Sequence, residues 1–159
     1  MKELFLQIPA LIVFLHVFSA IIWIGGMITI RFVIHSSMQT ITDPSIKLSL
    51  TLLNLNKFFN FLIPVIALLL ITAIILIFGL DLNTSSLVNE VRLKELILTA
   101  MFIVFVIVYI KRNKAQKAFN EKNLLLCKQC LEPIAKIYVP LNIILGLVAL
   151  YLGVVLRGF

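Results

Sequence analysis

His16 lies within residues 4–30, a run that contains no Lys, Arg, Asp or Glu. An imidazole inside hydrocarbon must find a partner, and ionisable residues within membrane spans are functional candidates by default. On a helix, residues three, four and seven apart share a face. From His16 that face reads Ser19, Ala20, Trp23, Gly26, Met27 and Ile30. Small, polar and aromatic groups on a helix otherwise built of Ile, Leu, Val and Phe turn His16 toward sister helices. Gly25 and Gly26 leave room for a close helix or a flat ligand. Two roles are open to His16: ligation of a metal or haem iron, or a hydrogen bond to a Ser or Thr that serves packing alone.

Depth selects partners. His16 stands about eight residues from the outer end of its helix, or ~12 Å at 1.5 Å per residue. Counted from Val91, Met101 lies at ~15 Å and Lys94 at ~5 Å, while Tyr151 lies ~8 Å from the outer end of the last helix. Haem iron accepts His, Met, Cys or Tyr as axial ligands. A His16–Met101 site or a five-coordinate His16 is therefore expected. Lys94 either reaches down on its long stem to close the far side or pairs with neighbouring groups and headgroups. His35 follows His16 by nineteen residues, roughly 28 Å along a straight helix, so the two cannot bind one iron within a single chain. Arg31 and His35, one turn apart at the inner edge, suit carboxylates such as porphyrin propionates. A snorkelling Arg and a solvated His are the alternative.

Met27, His16 and Met101 are also potential stations of a copper path. Cys127 and Cys130 are spaced for Cu(I), half a zinc site or a redox disulfide. A single pair with no nearby His does not complete a zinc site, and two incidental thiols near the membrane are the other reading.

The elements that must position these groups follow from composition. Of 159 residues, 62% are hydrophobic and 13% charged, and the mean hydropathy is +1.13. Such a chain has lipid as its solvent. Residues 4–30, 58–80, 96–110 and 137–156 are uncharged, and a helix of about 20 residues crosses a ~30 Å core. The third run is too short, so its helix begins near Val91 and takes Arg92, Lys94 and Glu95 into its first turns. The spacing predicts one all-α domain, 1–159, an integral membrane four-helix up-and-down bundle. Its helices cover about 8–32, 57–79, 91–111 with a cytoplasmic extension to 121, and 133–156.

The first inner loop, 35–56, reads as polar, with Asp43-Pro44 as a turn. Within 45–59, Leu48, Leu52, Leu55 and Phe59 fall at helical spacing, so this tail lies along the interface or extends helix 2 inward. Pro64 is a potential kink in helix 2, and Pro140 interrupts or bends helix 4. Asn83-Thr84-Ser85-Ser86 marks the outer turn. The first apolar run is longer than a signal-peptide core, which has about 7–15 residues, so it is read as a retained helix.

Charge sets the orientation. Arg31, Lys47 and Lys57 lie between helices 1 and 2, and Lys111, Arg112, Lys114, Lys117, Lys122, Lys128 and Lys136 between helices 3 and 4, ten in all on one side. Lys2, Arg92, Lys94 and Arg157 lie on the other. The positive-inside rule puts the ten in the cytoplasm and both termini outside, as in a multi-pass protein of a bacterial inner membrane. The net charge of +7 then meets anionic headgroups. Nucleic acid is not expected as a partner, because the basic cluster 111–117 has no aromatic platform beyond Phe119. The chain has no Walker sequence, nucleophile elbow, HExxH or dinucleotide fingerprint, and its spans hold no carboxylate pair of the kind that marks a proton-driven transporter.

Leu15-His16, Trp23-Ile24-Gly25-Gly26 and Arg31 to His35 together resemble two related membrane groups. One is the copper-resistance protein D (CopD) family, whose first helix has a Leu-His start and a Trp-x-Gly-Gly end. The other is the HemJ-type protoporphyrinogen oxidase family of four-helix proteins. Leu93-Lys94 looks like the Lys that begins a helix in both, and Lys57-Phe58-Phe59 and Pro140 fit loosely. The HemJ-type resemblance implies b-type haem, His16 as axial ligand, Lys94 as a functional residue or second ligand, and porphyrinogen oxidation with electrons passed to quinone. The CopD resemblance implies copper uptake or tolerance.

Three functions are therefore expected in order. The first is a haem b membrane redox protein with His16 on iron, Trp23 and Gly26 shaping the pocket, and Lys94 or Met101 opposite. The second is a copper-handling protein. The third is a structural subunit of a membrane complex, for which Gly146, Ala149 and Gly153 offer a packing stripe toward a dimer mate or partner.

Overall fold

The computed structural model describes residues 2–80 and 88–155, apart from the side chain of Leu4. A short helix α1 (Lys2–Gln7) precedes α2 (Pro9–Ile28), with Pro9 at the first helical position, where its missing N–H is no loss. A π-helical segment, Thr29–Ile34, carries α2 into α3 (His35–Gln39). Helix α4 (Pro44–Gly79) is capped by Asp43, whose carboxylate accepts from the N–H groups of Ser45 and Ile46. Helix α5 is Val88–Asn120. Helix α6 (Leu124–Pro133) is capped by Asn123 and leads through a second π-helical segment, Ile134–Tyr138, into α7 (Val139–Val155).

Four continuous helical stretches, Pro9–Gln39, Pro44–Gly79, Val88–Asn120 and Leu124–Val155, are long and apolar enough to cross a membrane. The all-α four-helix membrane bundle expected from the sequence is the observed architecture. Many Ile, Leu, Val and Phe side chains remain on the outside, Phe14, Phe32, Leu96 and Ile144 among them, as lipid-facing helices require. Helix α2 packs chiefly on α4 and then α7, and α5 packs on α6 and α7. Trp23, Leu52, Leu62 and Cys127 are among the most deeply buried side chains of the core.

Three of the four expected boundaries at the inner side move. Helix 2 begins at Pro44 instead of near residue 57, because the Leu48, Leu52, Leu55, Phe59 stripe extends it inward; Leu52, Leu55 and Phe59 are buried. The loop expected at 35–56 therefore shrinks to residues 40–43. Helix 1 continues past residue 32 to Gln39. Helix 4 starts at Leu124 instead of 133, so the Cys127–Cys130 pair sits on a helix and not in a loop. The connection from α5 is only residues 121–123, with Lys122 at φ 60°. Helix 3 extends inward to Asn120, close to the expected 121, and begins at Val88 instead of 91. Helix α4 runs unbroken through Pro64. Before Pro140, which has no N–H to give, the winding widens and the Val139 N–H reaches the carbonyl of Ile134. The expected outer turn at residues 83–86, Leu156 and Arg157 lie outside the described residues.

Candidate functional site

The polar residues occupy three levels across the bundle. At the outer level, His16 Nδ1 lies 3.1 Å from Thr72 Oγ1. The single hydroxyl proton of Thr72 points to the carbonyls of Leu68 and Leu69, at 2.8 and 3.0 Å. With the proton so directed the oxygen accepts, and the network assigns the imidazole proton to Nδ1 and the lone pair to Nε2. Thr72 is 2% exposed, while His16 is half-buried. This is the contact expected of a packing histidine; it is also the second partner that orients a metal-ligating one. Thr72 was missed in the sequence although the same depth count finds it. It stands eight residues from Leu80, the cap of α4, again ~12 Å in.

Lys94 lies close enough for its charge to act on His16. Its Nζ rests over Gly153, 3.0 Å from where a Cβ would stand. His16, Thr72 and Lys94 thus come together from α2, α4 and α5, with Gly153 of α7 beside Lys94. Met101 belongs to the next level. It is buried against the face of Gly146, where Ile24 also packs. Ile24 is eight residues along the chain from His16, or roughly 12 Å. The stripe Gly146, Ala149, Gly153, expected to face a partner, instead packs inside the chain: Gly146 receives Ile24 and Met101, Gly153 receives Lys94, and Ala149 lies against the core.

The middle level also holds Trp23, edge-on to Phe105 at 6.3 Å, with Phe105 next to Phe59 at 5.2 Å. The room over Gly26 is taken by the ring of Phe58, whose Cε2 would stand 2.6 Å from an added Cβ; Gly25 faces open space. Trp23, Met27, Phe58, Phe59 and Asn142 border a cavity of about 30 Å³.

At the inner level, Arg31 and His35 both line a second cavity of about 50 Å³, with Thr51 and Asn54 of α4 across from them. Lys47 donates to Gln39 Oε1 at 2.7 Å, which leaves the Gln39 amide N–H to meet His35 Nε2 at 3.2 Å. The Nε2 lone pair of His35 is thereby used. The guanidinium of Arg31 lies 5.8 Å from the Phe32 ring centre. His16 and His35 stand at separate levels with separate partners. Cys127 and Cys130 are buried free thiols in the core. Among the described residues, no three His, Cys, Asp or Glu side chains converge as a metal site.

Comparison with known protein families, curated proteins and solved structures returns no match to this chain.

Proposed function

We propose that this chain is a multi-pass membrane redox protein that carries b-type haem on His16. The reading is supported by one observation above all: His16 Nδ1 stands 3.1 Å from the Thr72 hydroxyl, an arrangement that, with that hydroxyl turned to the helix carbonyls, puts the proton on Nδ1 and leaves the Nε2 lone pair for a ligand. The donor chemistry fits a haem iron. His16 would hold it, with the Lys94 amine as the nearby cation. Both cavities described above lie deeper in the bundle than His16. Bound haem would supply one-electron chemistry. The residues of the chain would fix the imidazole, exclude water with apolar helices and place a positive charge beside the site. The ten inward basic residues orient the protein with its termini outside, in a bacterial inner membrane. Oxidation of a porphyrinogen with quinone as acceptor is the corresponding activity.

The test is the visible spectrum of the purified protein, produced with ample haem. A Soret band that disappears in His16→Ala supports the reading; a colourless wild-type protein refutes it. The His16–Thr72 bond itself favours a second reading, a structural bundle in which His16 ties α2 to α4. That reading expects no band, with co-purifying membrane partners. Copper handling requires copper in the purified protein, with Met27 and Met101 as thioether donors.

A further inference from the structure

The cavity at the middle level holds two buried polar atoms with no partner, Trp23 Nε1 and Asn142 Oδ1. Trp23 is 1% exposed and Asn142 3%. A buried donor or acceptor left unsatisfied costs about 1–3 kcal/mol, and here one of each borders the same space. The indole N–H needs an acceptor. Asn142 needs a donor as its amide stands, or an acceptor if the amide is turned end for end. A hydroxyl satisfies both atoms in either case, because it donates one hydrogen bond and accepts others. A carbonyl oxygen satisfies only the indole unless the amide turns.

The remaining wall is mostly apolar and aromatic, with Phe58, Phe59, Phe105 and Tyr138 among the lining residues. The volume of about 30 Å³ admits a polar group of water size and not a ring. The cavity is partly open, and Ile30 and Phe58 at its border are only half-buried. Its rim faces apolar surroundings, where a ring can lie against Phe58.

We infer that this cavity binds the hydroxyl of a lipid-soluble aromatic molecule, a phenol or quinol, between Trp23 and Asn142. The inference stands independently of iron at His16, since His16, Thr72 and Lys94 do not border this cavity.

Trp23 is the only tryptophan of the chain, so indole emission reports from this cavity alone. The experiment titrates the full-length protein in lipid nanodiscs with 4-pentylphenol and, in parallel, with pentylbenzene, exciting at the red edge of indole absorption. The expected result is a saturable emission change with the phenol and at least about tenfold weaker binding of pentylbenzene, the equivalent of one satisfied hydrogen bond. Asn142→Leu, similar in volume, should weaken phenol binding about tenfold, the indole bond remaining. Equal responses to the two probes, or no saturation, overturn the inference; a cavity that holds only water gives that result. Unchanged phenol binding in Asn142→Leu overturns it as well. Should that variant lose its helical circular dichroism, the wild-type comparison of the two probes decides alone.

Discussion

Thr72→Val tests the bond on which the outer site depends. Valine matches threonine in shape, so no cavity forms, and the carbonyls of Leu68 and Leu69 keep their helical partners. What is lost is the acceptor 3.1 Å from His16 Nδ1. Side-chain hydrogen bonds between membrane helices average about 0.6 kcal/mol and reach about 1.7. Thr72 is almost fully buried, which favours the upper part of that range, while the half-buried imidazole can recover part of the loss. The expected destabilisation is about 1 kcal/mol, roughly fivefold in the unfolding equilibrium. The assay is reversible unfolding in mixed micelles followed by helicity, on wild type, Thr72→Val, His16→Leu and the double variant. The coupling energy should also be about 1 kcal/mol, because each single change removes the same bond. Additive single effects, with coupling inside the usual ~0.3–0.5 kcal/mol scatter, would refute the bond and with it the assigned Nε2 lone pair. If iron is present, the same variant should weaken haem retention by about 10–100-fold, as losses of a ligand's supporting partner do.

Gly146→Ala should destabilise the bundle by about 1–3 kcal/mol, since the new methyl would stand 2.7 Å from Ile24 Cγ1 and 3.3 Å from Met101 Cε; micelle unfolding measures it, and a neutral result would mean that α7 does not press on α2 there. Gly25→Ala is the internal control, with open space around its Cβ position and an expected change near zero or slightly stabilising. Cys127, with no exposed surface, should react with a maleimide far more slowly in the folded protein than in SDS-unfolded protein. Equal rates would place the thiol at the surface.

The four spans were legible because uncharged runs of spanning length leave little choice of structure in lipid. Their inner ends were not. Hydropathy falls where Lys47 and Lys57 interrupt it, yet both residues stay within α4, because a helix persists beyond the bilayer wherever one stripe can still pack. The stripe Leu48, Leu52, Leu55, Phe59 carried that signal, and the choice between extension and an interfacial helix needed the partner surface. The inward turn of His16 was readable from its face. Its partner was equally accessible by depth, but Thr72 is one hydroxyl in a long apolar run, without charge or motif to draw notice. Counting placed Met101 near His16 because depth along separate helices ignores azimuth and the offset of their starting points. The glycine stripe on helix 4 showed that something packs closely against it, and could not show whether that neighbour lies inside the chain.

The wide winding at Thr29–Ile34 has a consequence for the inner end of the first span. An ordinary α-helix advances about 100° per residue, so a stripe through Trp23 and Met27 would run on through Ile30 and Ile34 and then drift off toward Ser37. Observed cavity-lining residues are Ile30, Arg31, Ile34, His35 and Met38, a stride of four. One surplus residue of coil, marked by the His35 N–H reaching back to the carbonyl of Ile30, keeps a cation and an imidazole abreast on the same side. Shortening that stretch by a single residue would rotate the pair away from Thr51 and Asn54 while leaving the span's apolar length almost intact.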